Sequence, residues 1–184
     1  RIVDIISDVN MAYSEHARRY LADCGLPKER TYVTGSPMAE VLHNNFAEIE
    51  ASDIHQRLGL EKGKYILLSA HREENIDTEK NFMSLFSAIN KMAEKYDIPI
   101  LYSCHPRSRN RLAASGFKLD SRVIQHEPLG FHDYNCLQMN AFAVVSDSGT
   151  LPEESSFFTS VGHPFPAICI RTSTERPEAI DKGD

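Results

Sequence analysis

The chain has 184 residues, of which 41% are hydrophobic and 25% are charged, which is typical of a globular chain with one good core. Its formal net charge of −6 argues against a nucleic-acid surface. No apolar run approaches the roughly 20 residues of a membrane span, and no signal-like start is present, so we expect a soluble, cytoplasmic protein without membrane contact.

Short apolar runs alternate with helical patterns along the whole chain. We predict strands at 9–13, 31–34, 65–69, 98–103, 123–125, 142–146 and 167–171. Between them we predict helices at 14–24, 37–46, 54–58, 131–140 and 151–161. We predict two more, of which one begins after residue 75 and the other ends at about residue 115. Strands separated by single helices predict a doubly wound, Rossmann-like α/β domain with a parallel sheet.

The clearest helix follows residue 75. Its apolar residues fall at i, i+3, i+4, i+7 and i+11, which makes one buried stripe: Phe82, Leu85, Phe86, Ile89 and Ala93.

Polar residues follow five consecutive strands, at 71–75, 105–107, 127–128, 146–149 and 171–178. A doubly wound sheet binds its ligands at the carboxyl ends of the strands, so these segments predict one polar rim around a site. Neither a G-x-G-x-x-G fingerprint nor a P-loop motif appears.

The strand at 142–146 runs into Ser148-Gly149-Thr150 and then a helix. Small residues and free N–H groups at a helix start suit a phosphate. Thr150 and Glu153 have capping-box spacing, and Pro152 suits the first helical turn. A well-capped turn of an ordinary α/β unit fits these residues as well.

The cysteines Cys24, Cys104, Cys136 and Cys169 are scattered without a C-x-x-C pair. This argues against a zinc site and a disulfide framework, and we expect reduced core residues. Because the chain starts at Arg1 without an initiator methionine and ends on charged residues, we also expect a fragment.

Four motifs in order carry a resemblance: His71-Arg72-Glu73-Glu74-Asn75, Glu127-Pro128-Leu129 with Tyr134, Ser146-Asp147-Ser148-Gly149 with Glu153-Glu154, and Thr174-Glu175-Arg176-Pro177-Glu178. Together they resemble the non-hydrolysing UDP-N-acetylglucosamine 2-epimerase family over almost the whole chain. The resemblance implies the C-terminal half of a glycosyltransferase-B architecture. It implies one nucleotide-sugar-binding domain over 1–184, without the final C-terminal segment and without the N-terminal domain that carries the family's acid/base carboxylates.

Thr150 stands where the family usually has the second glycine of Ser-Gly-Gly, and the segment 155–166 is longer than usual. These departures resemble the capsule and O-antigen branch, whose members act on 6-deoxy N-acetylamino sugars on the way to UDP-N-acetyl-L-fucosamine.

The resemblance implies an epimerase that inverts C2 of a UDP-2-acetamido sugar. UDP leaves C1 as the C2 proton is removed, and UDP then adds back with the proton on the opposite face. This route implies no cofactor and no metal. It also implies UDP and a UDP-N-acetylamino sugar as ligands, a homodimer for the full-length protein and no activity for this half alone.

The same resemblance assigns the nucleotide site. Ser148, Gly149 and Thr150 hold the diphosphate, where the helix dipole favours an anion. Glu154 accepts the ribose hydroxyls, and Glu153 takes the capping role.

Five further residues are assigned by their place in the motifs. His71 is the catalytic histidine, and Arg72 beside it favours a neutral imidazole and contacts substrate. Tyr134 packs on the uridine. Arg176, with Glu175, contacts the diphosphate or the sugar.

Two other functions stay open. A UDP-sugar-dependent glycosyltransferase shares the fold and the strand-exit nucleotide site, and it would require an acceptor. A non-catalytic UDP-binding module would bind the nucleotide without turnover.

Overall fold

The structure is a computed structural model that describes residues 2–72, 75, 78–104 and 106–171. It divides into two compact units, of which the first ends at Val41 and the second begins at Leu42. The seven predicted strands form two separate parallel sheets.

The first unit pairs two short parallel strands with two helices. Its elements are α1 (Ile2–Ile6), β1 (Asn10–Ala12), α2 (Glu15–Asp23), a 3-10 turn (Lys28–Arg30) and β2 (Thr31–Val33). Ser14 caps α2, since its hydroxyl accepts the N–H of Ala17 at 3.2 Å.

The second unit contains a sheet of five parallel strands: β3 (Ile66–Ser69), β4 (Ile100–Ser103), β5 (Val123–His126), β6 (Ala143–Ser146) and β7 (Ala167–Cys169). Their spatial order is β5-β4-β3-β6-β7. The chain therefore adds strands on one side of β3 and then returns to add β6 and β7 on the other. The order reverses between β3 and β6, which makes this the topological switch point.

In the described part of the chain, seven further helices follow: α3 (Met38–Asn44), α4 (Phe46–Glu50), α5 (Ile54–Leu58), α6 (Glu79–Tyr96), α7 (Pro106–Ser115), α8 (Phe131–Met139) and α9 (Leu151–Ser160). The unit boundary falls within α3. Short α1, α4 and the 3-10 turn were not predicted, whereas the other helices agree with the predicted positions to within a few residues.

Helix α6 buries its apolar stripe against one face of the large sheet. Phe82, Phe86, Ile89 and Ala93 are buried, as predicted, whereas Leu85 is only partly buried. The ring of Phe86 lies 5.5 Å from that of Tyr102 on β4. Each buried phenylalanine contributes about 1.5–3 kcal/mol relative to exposure.

The opposite face is covered by α8. Tyr65, directly before β3, is fully buried, and its hydroxyl donates to the carbonyl of Leu137 on α8 at 2.5 Å. Helices therefore cover both faces, which confirms the predicted doubly wound α/β fold.

The four cysteines are free thiols, but only Cys104 and Cys136 are buried. The expectation of core residues is wrong for Cys24 and Cys169, which are exposed. Within the described part of the chain, no helix is long and apolar enough to cross a membrane.

Candidate functional site

The carboxyl ends of the five strands lie in register along one edge of the sheet. Ser69 pairs with Ser103 on one side and with Ser146 on the other, and Ser146 pairs with Cys169. The three serines are buried. Small polar side chains thus line the edge where β3 and β6 meet, which is the expected position of a ligand crevice.

The turn after β6 is ordered by its own hydroxyl groups. The backbone N–H of Ser148 donates to Ser146 Oγ at 3.0 Å, and that of Thr150 donates to Ser148 Oγ at 3.3 Å. The hydroxyls of Ser148 and Thr150 lie 3.0 Å apart. With half-buried Gly149 between them, they meet the start of α9, where the positive end of the helix dipole favours an anion.

Glu154 lies one helical turn into α9 and has a donor on each carboxylate oxygen. Thr150 Oγ1 donates to Oε1 at 2.6 Å, and Gln138 Nε2 donates to Oε2 at 2.8 Å. Since an ionised carboxylate offers about four acceptor positions, two remain for a ligand such as a pair of ribose hydroxyls. The carboxylate is oriented before any ligand binds.

The predicted capping box of Thr150 and Glu153 is wrong. Thr150 is the N-cap residue, but its side chain makes no capping hydrogen bond. Its backbone has φ −95° and ψ −4° rather than the extended conformation typical of a capping residue, and its hydroxyl bonds Glu154 instead. Pro152 lies in the first turn of α9, as predicted.

Tyr134 on α8 brings a phenol into the same cluster. Burial, followed by the negative charge of Glu154, raises the pKa of Tyr134 to about 12, and hydrogen bonds with Ser69 and Ser146 oppose this shift. The tyrosine therefore stays protonated at neutral pH. Its hydroxyl lies at the β3/β6 edge, beside the turn predicted to bind a nucleotide.

His71 and Arg72 follow β3 at this edge, and both are held by Asp147. The backbone N–H groups of His71 and Arg72 donate to Asp147 Oδ2 at 2.9 and 2.8 Å. Arg72 Nε also donates to the Asp147 carbonyl at 2.9 Å. The catalytic candidate therefore lies next to the candidate phosphate turn, although 76 residues separate the two in sequence.

Sequence analysis assigned no role to Asp147 or Gln138. Asp147 carried a signal, since it is a carboxylate directly after an entirely buried strand. Gln138 carried a weaker one, since it is a polar residue within the apolar part of α8, and the structure buries it fully.

Several predicted site residues lie outside the described part of the chain: Glu73, Glu74, His105, Glu175 and Arg176. Among the described residues, no group of three or more His, Cys, Asp or Glu side chains is arranged to hold a metal ion.

A family profile described as UDP-N-acetylglucosamine 2-epimerase matches residues 1–184. The chain belongs to the UDP-N-acetylglucosamine 2-epimerase family. The family prediction made from the four motifs is thereby confirmed.

Individual members of the UDP-N-acetylglucosamine 2-epimerase family agree with this result. The UDP-N-acetylglucosamine 2-epimerase of Methanocaldococcus jannaschii is 28% identical to this chain over 189 residues, which cover 99% of the chain and 50% of that protein. A structure of UDP-N-acetylglucosamine 2-epimerase from Rickettsia bellii superposes with a TM-score of 0.84 and 38% identity, over 98% of this chain and 46% of that one.

The Methanocaldococcus jannaschii enzyme has also been solved in complex with UDP-GlcNAc and UDP. It superposes with a TM-score of 0.86 and 28% identity, over 98% of this chain and 50% of that one. The chain thus spans about half the length of these relatives. The superpositions confirm the predicted α/β fold of the glycosyltransferase-B type.

Proposed function

We propose that this chain is the UDP-sugar-binding half of an epimerase that inverts C2 of a UDP-2-acetamido sugar. One observation carries the proposal: Ser148, Thr150, Glu154 and Tyr134 form one polar cluster at the β3/β6 switch point. His71 lies beside this cluster through Asp147. The relative from Methanocaldococcus jannaschii, solved with UDP-GlcNAc and UDP, supports the choice of ligand.

In this proposal the diphosphate lies at the turn formed by Ser148, Gly149 and Thr150. As the bond from C1 to UDP breaks, negative charge grows on the departing diphosphate, and hydroxyl and N–H donors of this turn stabilise it. Ser148 and Thr150 already lie in contact, and because Thr150 donates its one hydroxyl proton to Glu154, these hydroxyls turn their protons when they bind the diphosphate.

The remaining residues take the roles that the resemblance assigns. Glu154 accepts the ribose hydroxyls, and Tyr134 packs on the uridine. His71 transfers a proton, and Arg72 contacts substrate beside it. Glu175 and Arg176 are proposed to meet the diphosphate or the sugar.

The finer identity of the substrate is also a proposal. Thr150, in place of a second glycine, bridges Ser148 and Glu154 through its hydroxyl, so the substitution builds a contact into the nucleotide site. The capsule and O-antigen branch and a 6-deoxy sugar are proposed from the sequence departures at Thr150 and at 155–166. A cytoplasmic location and a homodimer of the full-length protein stay predictions.

The test is a sugar-specificity assay of the full-length protein in deuterated water. UDP-GlcNAc and its 6-deoxy analogue are supplied separately, and NMR follows the C2 position. We expect the C2 epimer to appear with deuterium at C2. Sugar transfer that requires an acceptor would identify a glycosyltransferase instead, and UDP binding without turnover would identify a non-catalytic module.

A further inference from the structure

Asp147 is a buried carboxylate at the centre of three strand exits. It directly follows β6 and is 2% exposed. Its own N–H donates to the carbonyl of Ser69 at the end of β3, at 3.1 Å. Through Oδ2 it accepts the backbone N–H groups of His71 and Arg72, at 2.9 and 2.8 Å.

A third donor extends the arrangement to β7. The side-chain amide of Asn75 donates to Asp147 Oδ2 and to the carbonyl of Ile170, both at 3.1 Å. Asn75 is itself 6% exposed. Asp147 Oδ2 therefore ties the segment after β3 to the exit of β6, and the Asn75 amide extends this link to the carbonyl of Ile170 after β7.

These bonds hold a segment that no strand ladder holds. Among the described residues the β3 ladder ends at Ser69, and the N–H groups of His71 and Arg72 bond the carboxylate instead. Hydrogen bonds to a carboxylate are shorter and roughly twice as strong as neutral ones. A buried carboxylate is also costly without donors, so the segment and Asp147 stabilise each other.

We propose that Asp147 is a positioning residue, which fixes His71 and Arg72 relative to the phosphate turn that begins at Ser148. This inference rests on the proposed function, because it assigns His71 and Arg72 to the same reaction. Asp147 itself touches no reacting atom. It links the two halves of the site across the switch point, so the proton-transfer group stays in place when the diphosphate departs.

The test compares Asp147→Asn and Asp147→Ala in the full-length enzyme. Asn keeps the volume and one carbonyl acceptor, whereas Ala removes both. We expect kcat to fall on the order of 10²-fold in Asp147→Asn and further in Asp147→Ala, because small displacements of a catalytic group have effects of this size. We expect the dissociation constant of UDP to change by less than about threefold, because the contacts of the turn remain.

Asp120→Asn is the matched control. Asp120 also accepts two hydrogen bonds from Arg122, one from the backbone N–H at 2.9 Å and one from Nε at 2.8 Å. Asp120 precedes β5, however, so it lies at the amino end of that strand and not at the carboxyl ends that form the candidate site. We expect Asp120→Asn to keep wild-type kcat. A kcat of Asp147→Asn equal to that of Asp120→Asn would overturn the positioning role.

Amide hydrogen exchange provides a readout that is independent of turnover. In Asp147→Ala the N–H groups of His71 and Arg72 lose their acceptor, so their exchange should accelerate, while the amides of β3 stay protected. Unchanged exchange at both positions would overturn the inference. A wild-type enzyme without epimerase turnover would contradict the proposed function instead, and the exchange measurement would still decide for or against the positioning contact.

Discussion

Glu154 has a hydrogen-bond donor on each carboxylate oxygen, Thr150 on one and Gln138 on the other. Such a side chain loses little conformational freedom when a ligand binds, because its orientation is already set. His71 is the opposite case, since its side chain is exposed while its backbone is held by Asp147. At the scale of single residues the site combines oriented acceptors with an accessible imidazole.

His71→Asn should separate chemistry from binding in the full-length enzyme. If the imidazole transfers a proton while the diphosphate lies at the turn, turnover should fall by about 10²–10⁴-fold, the usual contribution of a positioned acid or base. UDP affinity should remain near that of wild type. An equal loss of UDP affinity and turnover would show that His71 binds the nucleotide instead.

His55, which lies outside the candidate site, makes the free energy of unfolding depend on pH. Its Nε2 lies 3.0 Å from the hydroxyl of Tyr65, and that hydroxyl donates to Leu137. Burial, followed by the positive charge of Lys62, lowers the pKa of His55 from its ordinary value of 6.5. The folded protein therefore favours the neutral ring.

Because the folded pKa of His55 lies below the unfolded one, its contribution to stability is complete above pH 6.5 and is lost as pH falls through the folded pKa. Urea unfolding at about pH 7.5 and about pH 5 should show a smaller pH-dependent loss of unfolding free energy in His55→Gln than in wild type. His43→Gln, at an exposed position on α3, should keep the full loss. Identical losses in both variants would refute this role of His55.

At the scale of elements, the central buried strands carried the clearest sequence signal. The strands β3, β4 and β6 are buried along their whole length, and continuous apolar runs marked them in the sequence. Helix α1 was missed because the five residues Ile2–Ile6 are too few to show a helical repeat. Helix α4, with five residues, is also too short to show a repeat.

The candidate site was predictable where its residues are adjacent in sequence. Ser148-Gly149-Thr150 forms one turn, and turn residues at a helix start are visible in a sequence. The contact of Asp147 with His71 and that of Gln138 with Glu154 join different elements, and no local spacing marks them. The capping box failed because Thr150 adopts a helical backbone conformation, which sequence spacing does not report.

Phe86→Ala tests the packing of α6 on the sheet. Phe86 is fully buried against Tyr102, so its truncation should lower the free energy of unfolding by about 3–5 kcal/mol. Met83→Ala on the same helix is the control, because Met83 is 40% exposed and its loss should cost much less. Urea unfolding curves give both values. Equal destabilisation would contradict the assigned core face.

At the scale of the whole molecule, an acidic chain is proposed to bind an anion. The formal net charge of −6 does not attract a diphosphate, so we expect the affinity to come from local donors, which are N–H and hydroxyl groups at the start of α9 and the guanidinium proposed for Arg176. The chain also spans about half the length of its relatives, and the resemblance places the acid/base carboxylates in the other half. Binding and turnover should therefore separate between the two halves.

The isolated 184 residues should fold and bind UDP but show no epimerisation. Without the carboxylates of the other half and without a closed cleft that excludes water, the C2 proton is not removed. NMR of UDP-GlcNAc with the isolated chain in deuterated water should show no deuterium at C2. Measurable exchange would place the catalytic groups within this chain, and Glu73, Glu74 and His105 would be the residues to test.

Calorimetric titration with UDP tests the central claim, that the nucleotide lies at the turn after β6. Wild type is compared with the double variant Ser148→Ala and Glu154→Ala, and with exposed Gln56→Ala as the control. The double variant should weaken UDP binding by roughly 2–4 kcal/mol, because it loses two polar contacts that include charge-assisted hydrogen bonds. Equal UDP affinity in wild type and the double variant would contradict the proposed site.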